Sequence, residues 1–324
     1  MKQNPVAPIL FSLCLALGAA GTAVAQDPAP DEAVAIDDVV VTARRAGAPM
    51  WEISRGDSTV ILVGAINGVP RDFAWRPEAL ETATARSQRV LSPTEGRASV
   101  SDILRLLWRI RTVGVLPAGT TTADYLSPER QARLEAVMAD RRGESWRIQG
   151  FVPLSFDLLE EAGYERRGGR DAVDAVRRAA REARIPVTPV GTLRGDEMVD
   201  NLITAPPPTY LPCVEASIAA AEAGPEGAAA RLEAWRSLKV AEVLATPLDR
   251  ALNLCWPSGD PEIAPVLRSQ WAEATQAALA QPGVTMGVAS LRILAEPGGV
   301  LDQLEAQGLD VVGPPWKAEA AAPQ

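Results

Sequence analysis

Two glycine-led segments each place a short polar side chain at the end of a β-prone run. They are Gly64-Ala65-Ile66-Asn67, after Thr59 to Val63, and Gly287-Val288-Ala289-Ser290, after Val284. Ser92 closes Arg89-Val90-Leu91, and Thr192 follows Val190-Gly191. An amide and three hydroxyls can hydrogen-bond a small polar ligand, but neutral oxygens without a carboxylate make a poor cage for a cation. The chain has no histidine, which removes the usual general base near neutral pH and the commonest metal ligand. Ser-His-Asp and Cys-His catalysis, His-Glu-x-x-His zinc sites and mixed Cys/His zinc modules are therefore excluded. Carboxylate chemistry survives. Asp196-Glu197 is a paired candidate, with Asp171 and Asp200 nearby in sequence, although acids at a helix start are the commoner reason for such a pair. Outside the N-terminal Lys2, a Ser-Lys dyad has only Lys239 and Lys317 to draw on. No Gly-x-x-x-x-Gly-Lys, Gly-x-Gly-x-x-Gly or Cys-x-x-Cys supports nucleotide or dithiol chemistry.

The elements that must carry these residues are legible in outline. Trp51–Arg55 and Thr59–Val63 flank Gly56-Asp57-Ser58, which predicts a hairpin delivering Gly64 to Asn67 at its carboxyl end. Helices are expected from Pro77 to Arg86, from Ser127-Pro128 onward, from Val152 to Ala162 and after Asp171, the last leading to a strand at Ile185–Val190. Ala205–Pro212 is proline-rich and is read as loop. Helices at Glu226–Leu244 and Ile263–Ala280, strand Val284–Val288, helix Gly298–Gln307 and strand Leu309–Val312 complete the chain. The expected fold is α/β (α+β), a mixed central sheet surrounded by helices in one domain of two pseudo-halves.

The ends carry other signals. Lys2, an apolar run from about Ile9 to Ala20 and Ala23-Val24-Ala25 form a signal peptide over residues 1–25. The run is shorter than the roughly 20 residues a membrane span requires, so no span is expected after cleavage, and the protein is expected to be periplasmic or secreted. Loss of the leader removes Lys2 and takes the formal net charge from −9 to −10. It also removes Cys14, leaving Cys213 and Cys255 to form a disulfide or two buried thiols, with an oxidising compartment favouring the bridge. Residues 26–49 read as a disordered linker, and 315–324 as a disordered tail. Within the linker, Asp37–Arg44 resembles the TonB box of outer-membrane receptors, a match short enough for a chance β-prone segment. An acidic chain with scattered arginines lacks the basic stripe that nucleic acid attracts.

Trp51-Glu52-Ile53, the hairpin, Val63 to Asn67, then Trp75-Arg76-Pro77 and Leu80 resemble the opening of the TraB/GumN family, which includes metalloproteases of the Tiki type. The similarity extends over a domain at 50–314. The family's two Gly-x-x-His motifs correspond to Gly64 to Asn67 and Gly287 to Ser290, with asparagine and serine in the histidines' places. Ser92 stands where an acid closes the family's strand, the family's Leu-Glu-Thr is matched by Val190-Gly191-Thr192 with Thr192 retained and the acid lost, and Arg268 matches a family arginine. The resemblance implies an inherited pocket of Gly64, Asn67, Ser92, Thr192, Arg268, Gly287 and Ser290 that has lost its metal ligands. On this reading the protein has no cofactor and no catalysis, and it binds a small polar ligand or a periplasmic protein. A hydrolase relying on carboxylates or a weak all-oxygen metal site is the competing expectation.

Overall fold

The computed structural model describes residues 47–318 apart from Arg167. The predicted signal peptide, nearly all of the linker with its TonB-box-like segment, and residues 319–324 lie outside the described residues. β1 (Met50–Arg55) and β2 (Ser58–Ala65) form the expected hairpin. Arg55 pairs with Ser58, so only Gly56 and Asp57 make the turn, with Gly56 at φ +58°. That left-handed geometry is cheap for glycine and strained for other residues.

The chain continues through α1 (Pro77–Ala85) and β3 (Arg89–Ser92), then β4 (Glu95–Arg97) and α2 (Val100–Gly114). Next come α3 (Pro128–Val137), α4 (Phe151–Glu161), α5 (Ala172–Glu182), β5 (Val187–Pro189), β6 (Thr192–Arg194) and α6 (Gly195–Thr204). A further run of helices follows: α7 (Leu211–Arg236), α8 (Val240–Ala245), α9 (Pro247–Leu254) and α10 (Ile263–Leu279). The chain then forms β7 (Gly283–Ser290), α11 (Leu291–Ala295), α12 (Val300–Ala306) and β8 (Val311–Val312).

Among the described residues, six strands form one mixed sheet in the order β5-β3-β7-β2-β1-β8, with β4 and β6 paired separately. Strands β5, β3, β7 and β2 are parallel, and β1 is antiparallel to both β2 and β8. The chain steps from β2 past β7 to β3 and on to β5, then returns to β7. Right-handed crossovers therefore put α1 and α5 on one face and α10 on the other. Burial agrees: every residue of β2 is buried, so both of its faces are covered. α1 and α5 pack on each other, joined by the Glu81–Arg178 ion pair, while α10 and α11 lie against β2. Adjacent strands β2 and β7 thus leave the sheet in different directions, which opens a crevice at their carboxyl ends.

Two departures from the sequence reading involve proline. The segment expected as loop from Ala205 holds a 3-10 turn at Pro207–Tyr210 and then starts α7, with Pro212 in the first turn, where a missing N–H leaves no bond unmade. The helix expected at Glu226–Leu244 is the second half of α7, broken at Gly224-Pro225, and it stops at Arg236 before the separate α8. Cys213 at the start of α7 and Cys255 after α9 form a disulfide inside a buried cluster with Leu159, Ala220 and Leu248. The packed chain extends past Pro314, whose carbonyl accepts from Trp51 Nε1 at 2.9 Å, to Trp316, whose indole donates to Asp302 at 2.8 Å. No helix among the described residues is long and apolar enough to cross a membrane.

Candidate functional site

The parallel register places Ala65 beside Ser290, so Asn67 and Ser290 emerge from adjacent strand ends. They line a cavity of about 60 Å³ in the crevice, together with Arg268 from α10. Five residues that sequence reasoning did not single out complete its polar wall: Arg231 of α7, Asp249 and Asn253 of α9, Ser258 beyond it, and Arg292 of α11. Asp249 is clasped from both sides. Its Oδ1 accepts from Arg231 Nε at 3.1 Å and Nη2 at 2.9 Å, and its Oδ2 accepts from Arg292 Nε at 2.9 Å and Nη2 at 2.6 Å. The side chains of Arg231, Asp249 and Arg292 retain 3%, 7% and 15% of their exposure. Arg231 also donates to the carbonyl of Asn67 at 3.0 Å, and Arg292 to that of Leu244 at 2.7 Å. One carboxylate is thus shared by two guanidiniums, and the triad carries a net charge of +1. Arg268 is balanced by Glu296, 2.5 Å away.

Local sequence explains how the triad is held. Thr246 caps α9 by accepting from Asp249 N at 3.3 Å, and Pro247 occupies the first turn, which fixes the turn carrying Asp249. Arg292 is two residues beyond Ser290, at the start of α11. Gly64 and Gly287 are outside the cavity lining, and their role is to allow close packing around β2 and β7. A Cβ on Gly64 would lie 2.4 Å from Leu291 Cδ1, and one on Gly287 would lie 3.0 Å from Leu62 Cδ2 and 3.3 Å from Trp271. The Gly64 carbonyl accepts from Trp235 Nε1 at 2.8 Å, pinning α7 to β2.

The structure brings Asn67, Arg268 and Ser290 together. It places Ser92 and Thr192 elsewhere. Ser92 is buried in the sheet, with its hydroxyl unpaired and outside the cavity lining. Thr192 opens β6 opposite Glu95 and is exposed, because the chain turns away from the main sheet after β5. The carboxylates weighed as an alternative are committed to other tasks. Asp171 caps α5, accepting from Asp174 N at 2.9 Å, and burial raises its pKa. Asp196 is bound by Arg194, which lowers its pKa, and Glu197 is 3.5 Å from the same arginine.

The chain matches the TraB/PrgY/gumN family over residues 49–312. It belongs to that family. No curated protein and no solved structure matches the chain at a significant level. A divalent cation of the kind used by the metalloproteases resembling this TraB/PrgY/gumN member does not fit these residues. The strand ends offer an amide and a hydroxyl, the nearby carboxylate spends both oxygens on arginines, and two guanidiniums would face the ion.

Proposed function

We propose that this TraB/PrgY/gumN protein is an exported, non-catalytic binding protein that takes a small anion, a carboxylate or phosphate group, at the carboxyl ends of β2 and β7. The observation that carries this reading is the uncompensated charge of Arg231–Asp249–Arg292 in the wall of the cavity that Asn67, Arg268 and Ser290 also line. With the Nε and Nη2 donors of Arg231 and Arg292 held by Asp249, the triad contributes the attraction of its excess charge and Arg268 the guanidinium donors, and Asn67 and Ser290 can supply neutral donors beside them. Calorimetric titration with inorganic phosphate and with succinate in low-salt buffer tests it. Binding should be enthalpic and weakened by salt, and Arg268→Gln should weaken it roughly 10–150-fold, the equivalent of about 1.5–3 kcal/mol for a hydrogen bond to a charged group. Absence of heat with both anions at millimolar concentration, or stoichiometric zinc or manganese in the purified protein, would reject the reading.

One observation favours a second reading, a hydrolase. Asp171, whose carboxyl is pushed up by burial, lines a groove that Asn67 also borders. Peptidase or glycosidase activity that survives chelator and disappears in Asp171→Asn would establish it.

A further inference from the structure

The apolar face of α2 points into solvent. Ser99 and Asp102 close a capping box that fixes the start of the helix, and only Asp102, Leu106, Val113 and Gly114 are withdrawn from solvent against α6 and α4. At 100° per residue the first three share a narrow stripe. Val100, Ile103, Leu104, Leu107 and Trp108 fan out from the opposite side at i, i+3, i+4, i+7, i+8 spacing, with Ile110 at the edge of the same face, and the six have exposures of 51–87%. An amphipathic helix usually buries this face, whereas here it is presented.

The size of the face indicates what covers it. Taking such side chains at roughly 150–250 Å² each when free, the six expose about 700 Å². That is above the few hundred Å² of contiguous apolar surface tolerated by a monomer. It is close to the roughly 800 Å² each partner contributes to a stable protein interface. An antiparallel pairing about a two-fold axis between Leu104 and Leu107 sets Leu104 against Leu107 of the other copy and Ile103 against Trp108, with Ile110 meeting Ser101 and Val100 meeting Arg111 at the ends. A closed two-fold contact of this kind uses the same patch on both copies. An apolar groove of about 430 Å³, lined by Val113, Leu116, Phe151 and Leu202, opens at the carboxyl end of the helix.

We propose that the exposed face of α2 is a homodimer interface, with a second copy of this chain as its occupant. The test is sedimentation equilibrium of the purified chain and of Leu107→Glu, with melting temperatures for both. The wild type should be a dimer at micromolar concentration, and Leu107→Glu should weaken the dimer at least about thirtyfold, as loss of a central interface anchor does. The intrinsic fold should survive, because Leu107 is 61% exposed and has little packing to lose. The variant's circular dichroism should therefore match that of the wild type. A wild type that stays monomeric at tens of micromolar, or a dimer indifferent to Leu107→Glu, overturns the proposal. So does a monomer that co-sediments with phosphatidylglycerol vesicles, which would assign the face to lipid.

Discussion

Asp249→Asn should damage this protein more than the loss of a single charge on its surface would. The substitution keeps shape and one acceptor oxygen but turns a +1 triad into two adjacent guanidiniums with no counter-ion, at sites that are 3% and 15% exposed. Four charge-assisted hydrogen bonds lose their charge on the acceptor side. Removing one partner from a buried pair typically costs about 3–5 kcal/mol, much of it the penalty of stranding the remaining charge. At about 2–4 °C per kcal/mol for a domain of this size, the melting temperature should fall by roughly 6–20 °C. Differential scanning calorimetry in a non-coordinating buffer measures this directly. Adding phosphate should restore part of the loss, because an anion that reaches the two arginines binds only the folded state. A variant within about 1 kcal/mol of wild type would show that Arg231 and Arg292 reach water or another partner easily. The account of the pocket as a site of excess positive charge would then fail.

Replacing Cys213 and Cys255 by serine opens a loop with a sequence separation of 42 and should cost about 4 kcal/mol by chain entropy; urea unfolding of the oxidised and doubly substituted proteins gives the number. Gly64→Ala places a methyl group against Leu291 and Trp51 and should destabilise by about 1–3 kcal/mol, as overpacking does, measured by thermal melts. Asp171 has a folded pKa raised above its ordinary value of 3.8 by burial. The folded state then holds that proton more tightly than the unfolded state. Stability from this group is therefore greatest below 3.8 and declines as pH rises through the folded pKa. Asp171→Asn preserves the cap and should remove that decline, so urea melts at pH 3.5 and pH 6 should differ less for wild type minus variant at the acid end than at the neutral end.

Much of the sheet could be read from the chain because its signals are local. Thr59 to Val63 and Val284 to Val288 are β-branched apolar runs between turn residues, and both are strands of the main sheet. Ser127-Pro128 and Asp171 announce helix starts by side chains that satisfy backbone donors, and both serve as expected. The same kind of signal at Thr246-Pro247, with Asp249 three residues from the cap, could have located α9 and its carboxylate. α2 was not foreseen. Its Ser99–Asp102 capping box and its apolar spacing are both present in the chain, and what the sequence could not show is that this face is exposed instead of packed on the core.

By itself, the sequence determined the family frame, the absence of imidazole chemistry, and the two strands that end near Asn67 and Ser290, fixed by hydrophobic runs and glycines, while the convergence of those two residues was implied by the family resemblance. Only the tertiary structure decided that Ser92 and Thr192 stay out of the pocket and that Arg231, Asp249 and Arg292 make its wall. In the chain those two arginines resemble any solvated helix arginine, because burial of a charge depends on which distant carboxylate the packing of α7, α9 and α11 brings within hydrogen-bonding reach.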